Sequence, residues 1–166
     1  MLLPLTFQSS SPRQTIRLGR RIGRLLAPGD VVALQGELGA GKTTLTKGLA
    51  LGCGFREPDR VASPTFVIEH VYPGRLMVFH IDAYRLRGAE DLLALSWEEC
   101  EDGVRVVEWA EKVSSLFPKD HLRIELALTG VEARTITLVP LGPRSGELVQ
   151  ALRNSIGHKP VSWPCQ

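Results

Sequence analysis

Gly36-Glu37-Leu38-Gly39-Ala40-Gly41-Lys42-Thr43 matches the phosphate-loop pattern G-x-x-x-x-G-K-[ST] at every fixed position. Each fixed residue has a physical reason. Glycines let the main chain approach a phosphate chain closely and take positive φ, so that successive backbone N–H groups wrap the anion. Lys42 reaches the β- and γ-phosphates, and the Thr43 hydroxyl is placed to ligate Mg²⁺. The flanks supply the confirming context. Val31-Val32-Ala33-Leu34-Gln35 reads as a short buried strand, and Thr43 to Leu51 reads as a helix with Leu45, Leu49 and Ala50 on one side. Strand, loop and helix together predict a nucleotide site, with the positive end of the helix dipole facing the phosphates. The expected nucleotide-binding set is Gly36, Glu37, Leu38, Gly39, Ala40, Gly41, Lys42, Thr43 and Thr44.

At 166 residues the chain suits one domain with a real core, and its 43% hydrophobic and 23% charged content is ordinary for a soluble globular protein. A net charge of +2 lacks the strong positive field of a dedicated nucleic-acid binder. Cys53, Cys100 and Cys165 are odd in number and widely spaced, with no C-x-x-C or zinc-ligand pattern, so they read as free thiols. No apolar run approaches the roughly 18 residues a membrane span needs. The opening Met1-Leu2-Leu3-Pro4-Leu5 is too short and lacks the basic flank of a secretory signal. The cytoplasm is the expected compartment, with no membrane partner.

Outward from the loop, the pattern predicts an edge strand near Leu5 to Phe7. A helix then starts at Ser11-Pro12, with serine as cap and proline at the first helical position, and ends at Pro28-Gly29. Its apolar face is Leu18, Ile22, Leu25 and Leu26; the other faces carry Arg13, Arg17, Arg20, Arg21 and Arg24. Such a basic face is either solvated or a docking surface for RNA or an acidic partner. Phe66 to Tyr72 and Arg75 to Asp82 flank a Pro73-Gly74 turn and predict an antiparallel hairpin, which makes the sheet mixed. A helix is expected over 88–101 and a valine-rich strand over Val104 to Trp109. A short helix should cover Ala110 to Leu116, a terminal strand pair His121 to Leu128 and Arg134 to Val139, and a last helix Ser145 to Ser155. The fold class that follows is α/β: a single three-layer P-loop NTPase-like domain over residues 1–156 with a mixed parallel and antiparallel sheet, and a loosely held tail over 157–166.

Holding a nucleotide is one task; hydrolysis also needs a secured metal and an aligned water. Asp82 ends the apolar run Leu76 to Ile81, a Walker B profile, and Glu108 ends Val104 to Val107. Strand ends in an open α/β sheet face the crevice that holds the loop, so both carboxylates are candidates for the metal or its waters. Thr65, in Ser63-Pro64-Thr65, is a candidate switch contact near the γ-phosphate. His80, inside an apolar strand, reads as a core histidine rather than a base, and Trp109 reads as packing. The guanine-reading N-K-x-D element is absent, since Asn154 is the sole asparagine. A small-molecule kinase and a nucleotide-gated binding module without turnover are the alternatives that remain.

The motifs GELGAGKTT (36–44), SPTF (63–66), HIDAYRL (80–86) and VEWAEK (107–112), in this order, resemble the bacterial TsaE (YjeE) family of small P-loop ATPases. Members of that family serve the biosynthesis of threonylcarbamoyladenosine in tRNA. The resemblance covers roughly residues 13–130. It implies that Lys42 and Thr43 engage phosphates and Mg²⁺, that Glu108 is an acidic metal-site residue, and that Asp82 is the carboxylate needed for hydrolysis. It also implies that Ser63 and Thr65 belong to a switch loop and that Ser11 and Thr15 border the adenine. ATP and Mg²⁺ are the implied ligands. TsaD and TsaB are the implied partners, with tRNA met through their complex, and ATP hydrolysis would reset that complex.

Overall fold

The computed structural model describes residues 3–64, 67–87, 90–91 and 102–156. The expected helix over 88–101, Thr65 and the 157–166 tail lie wholly or mostly outside the described residues.

The core is set by the strand that leads into the phosphate loop. β2 (Val31–Gln35) alternates no polar residue until its last position, because both of its faces are covered. On either side of it run β5 (Gly103–Glu108), which is buried throughout, and β6 (Leu122–Leu128). β1 (Leu5–Ser9), β3 (Glu69–Tyr72), β4 (Met77–Asp82) and β7 (Arg134–Pro140) complete a seven-stranded sheet of order β1-β7-β6-β2-β5-β4-β3. β6, β2, β5 and β4 are mutually parallel, while β1 and β7 at one side and β3 at the other pair antiparallel. The mixed sheet, the hairpin and the terminal strand pair are therefore as the sequence predicts. β3 is shorter than predicted and begins only at Glu69, after Ile68, which sits at φ 61. A β-branched residue at positive φ cannot extend a ladder.

One face of the sheet is covered by α1 (Pro12–Leu25), α2 (Lys42–Gly52) and α3 (Pro143–Ile156). Leu18, Ile22, Leu45, Leu49 and Leu152 meet the inward side chains Val32, Leu34, Val106, Ile124 and Leu138 there. The opposite face is served, among the described residues, by the 3-10 segment Ala110–Leu116, whose Ala110 and Val113 pack on Ala33, Ile81 and Val107. Successive strand residues such as Val106 and Val107 point to different clusters, as a period of two requires. Cys53 lies in the first cluster, and burial pushes its thiol up to about 11, which leaves it unreactive.

α1 and α2 pack unusually closely because each carries two glycines at the contact, Gly19 and Gly23 against Gly48 and Gly52. A β-carbon at Gly48 would stand 2.3 Å from the Ile16 carbonyl oxygen, and one at Gly23 2.3 Å from that of Leu49. Backbone cannot yield there as a flexible side chain would. Gly48→Ala is therefore expected to destabilise by about 1–3 kcal/mol, despite the roughly 1 kcal/mol that alanine gains over glycine inside a helix. Thermal unfolding checks this; a variant as stable as the parent would mean that the two helices can separate at no cost. α1 also sets the position of the loop helix, so this contact lies on the path from sequence to site.

Candidate functional site

The parallel strands deliver their C-terminal ends to one edge, and the phosphate loop leaves β2 at the centre of that edge. Gly41 caps α2 at φ 102, a left-handed conformation that favours glycine. Pairing in register places Asp82 beside Glu108 and Glu108 beside Leu34, so both carboxylates stand directly next to the start of the loop. A cleft of about 570 Å³ opens there. Lys42, Thr43 and Thr44 form its floor; Ser63, Asp82, Glu108 and Trp109 line one wall, and Pro12 and Arg134 line the other.

Thr43 donates its hydroxyl to Glu108 Oε1 at 2.8 Å, a contact that spans 65 residues of chain. His80 Nε2 lies 2.8 Å from the same oxygen. An ionised carboxylate can only accept, which puts the histidine proton on Nε2 and leaves Nδ1 facing the Tyr72 hydroxyl at 3.2 Å. His80 is thus the fully buried core residue the sequence suggests, and also the group that fixes Glu108 from behind. Asp82 is held at both oxygens. Ser63 Oγ donates to Oδ2 at 2.5 Å, and the Tyr84 backbone N–H donates to Oδ1 at 2.9 Å. Ser63 and Asp82 were expected in different roles, and the fold joins them.

Lys42 is buried, and its ammonium donates to the carbonyls of Gly36 at 2.6 Å and Glu37 at 3.0 Å. Burial lowers its pKa; the carboxylates of Glu108, Glu111 and Asp82 work in the other direction. The Trp109 ring centroid lies 3.9 Å from the ammonium and 5.0 Å from the Tyr84 ring. Trp109 at φ 57 is, with Ile68, one of two non-glycine residues at positive φ among those described. That conformation ends β5 at Glu108 and turns the indole over the lysine. Trp109 therefore packs as part of the cleft wall, over Lys42.

Ser11 caps α1 by accepting from the Gln14 N–H at 3.3 Å. Thr15 is fully buried, with its hydroxyl 2.8 Å from that of Ser9. Thr15 supports the start of the helix from behind, and Pro12 is the α1 residue that faces the cleft. Leu38 projects into solvent at 84% exposure, whereas Ala40 is completely covered. Arg13, Arg20 and Arg24 of the basic face are exposed. No helix among the described residues is long and apolar enough to cross a membrane.

A second cavity of about 260 Å³ lies at the far end of the strands and includes Asp30 and Arg144 in its lining. Arg144 donates to both Asp30 oxygens, at 3.1 and 2.8 Å, and to the Leu25 carbonyl. Those charges are paired with each other and tie α1 and α3 to β2, so the cavity is structural.

Residues 9–136 match the family model described as threonylcarbamoyl adenosine biosynthesis protein TsaE. A tRNA threonylcarbamoyladenosine biosynthesis protein TsaE from Treponema pallidum is 46% identical over 132 residues, which cover 78% of this chain and 96% of that protein. The protein of the same name from Bacillus subtilis is 36% identical over 149 residues, covering 89% and 93%. The crystal structure of Bacillus subtilis YdiB superposes with a TM-score of 0.76 at 31% identity, covering 95% of this chain and 99% of that one. The family model that matches most of the chain, and relatives 36% and 46% identical that are covered over nearly their whole length, place this chain in the TsaE family.

Proposed function

We propose that this chain binds Mg·ATP and hydrolyses it, slowly alone and faster with partner proteins, in support of threonylcarbamoyladenosine modification of tRNA. The observation that carries this reading is the Thr43–Glu108 contact of 2.8 Å beside the buried Lys42. It gathers a hydroxyl, a carboxylate and a cation at the mouth of a phosphate loop. The oxygens of Thr43, Glu108 and Asp82 suit Mg²⁺, which takes one or two carboxylates together with phosphate oxygens. Bound there, the metal would neutralise charge on the transferring phosphoryl group.

The chain's own residues supply the rest. Backbone N–H groups from Gly39 to Thr44 bind the phosphates, and Lys42 exchanges its carbonyl partners for phosphate oxygens. His80 keeps Glu108 aimed at Thr43. Asp82, fixed by Ser63 and Tyr84, is the group that orients the attacking water. The Ser63–Asp82 hydrogen bond also ties the segment before Thr65 to the site, a route by which hydrolysis would be felt outside it. The relatives are named for tRNA threonylcarbamoyladenosine biosynthesis, which supports a place in that pathway; the partners proposed are TsaD and TsaB, whose complex ATP hydrolysis would reset.

Without an N-K-x-D element the site is expected to prefer ATP to GTP. Calorimetry with both nucleotides in Mg²⁺ checks this; clearly tighter GTP binding would overturn the ATP assignment.

A further inference from the structure

Arg134 opens β7 on the side of the loop away from the carboxylates, opposite Ser9 of β1 and Leu128 of β6. It is only 6% exposed. Its Nη1 donates to the Ala40 carbonyl at 3.4 Å and its Nη2 to the Glu132 carbonyl at 3.2 Å, while Nε is buried with no partner. A β-carbon on Gly41 would stand 2.3 Å from Nη1, so the guanidinium lies directly against the glycine that caps α2. No ion pair joins Arg134 to a carboxylate among the described residues. Lys42, across the same cleft, feels three.

A buried cation without a counter-charge is costly, and two neutral carbonyls do not offset that cost. Its position explains why it is kept. The guanidinium lines the cleft at the N-terminus of α2, where an anion is expected. We propose that Arg134 is an anion subsite: its counter-charge is the phosphate chain of a nucleoside di- or triphosphate, held from the β7 side while Lys42 holds it from the β5 side. The proposal rests on the nucleotide reading above and adds a binding residue to it. It also accounts for Gly41, since any side chain there would push the guanidinium away from the loop.

The test is titration of Mg·ADP into the full chain and into Arg134→Met and Arg134→Lys, beside the thermal midpoint of each protein without nucleotide. Arg134→Met is expected to weaken ADP by about tenfold or more, the scale of a charge-assisted contact. Arg134→Lys should keep much of the affinity because it keeps the charge. Without nucleotide, Arg134→Met should melt no lower than the parent, because an uncompensated buried charge has been removed. ADP affinity within twofold of the parent in Arg134→Met would overturn the proposal. So would equal losses in both variants accompanied by lowered midpoints, which would make Arg134 a structural brace. A parent chain that fails to bind ADP would instead overturn the nucleotide reading, and this subsite with it.

Discussion

Glu108→Gln and Asp82→Asn are expected to remain folded and to bind Mg·ATP within about tenfold of the parent, while partner-stimulated hydrolysis falls by about 10²–10³-fold. The separation follows from the geometry. Glutamine at 108 retains an oxygen for Thr43 and His80, and asparagine at 82 retains one for the Tyr84 N–H, so the local hydrogen bonds survive. Most phosphate affinity comes from backbone donors and Lys42, which neither change touches. What is lost is negative charge where metal and water must be held, an interaction that matters more in the transition state than in the ground state. ATP turnover and calorimetric affinity, measured on the same preparations, check both halves. A variant that hydrolyses at the parent rate would make its carboxylate structural.

Lys42→Ala should do the opposite and strike binding itself. A buried, charge-assisted contact to phosphate is worth about 1.5–3 kcal/mol, or roughly 10–150-fold in affinity. Turnover is expected to be lost as well, because the same ammonium sits beside the Glu108 wall. Stability without nucleotide should hold: burial already disfavours the charged lysine, and of its carbonyl partners Gly36 is half-buried and Glu37 exposed, so water can replace the ammonium. Calorimetry with Mg·ATP and a melting curve read these effects. Parent-like affinity in a folded variant would remove the phosphate-loop assignment.

Much of this site was legible in the sequence because its chemistry sits in contiguous motifs. The loop, the strand before it and the strand-end acids Asp82 and Glu108 are all local patterns, and the apolar run of a parallel strand announces where its last residue will lie. What stayed hidden depends on contacts across the fold. Arg134 follows a turn near Gly130 with no pattern to mark it, and only the antiparallel return of β7 brings it against Gly41. His80 reads as core until the pairing of β4 with β5 brings its Nε2 to the Glu108 carboxylate. Trp109 reads as packing because positive φ at a tryptophan has no sequence signature. The glycine pairs of α1 and α2 are visible as i,i+4 spacings, but that they face one another is a property of helix packing.

The most direct measurement is ATP hydrolysis by this chain mixed with TsaD and TsaB, followed together with multiple-turnover tRNA modification. Mg²⁺-dependent hydrolysis should rise when the partners are present, and modification should stop after a single round when Glu108→Gln replaces the parent. Sustained modification with no ATP hydrolysed in any combination would contradict this, and would make the chain a nucleotide-gated binding module.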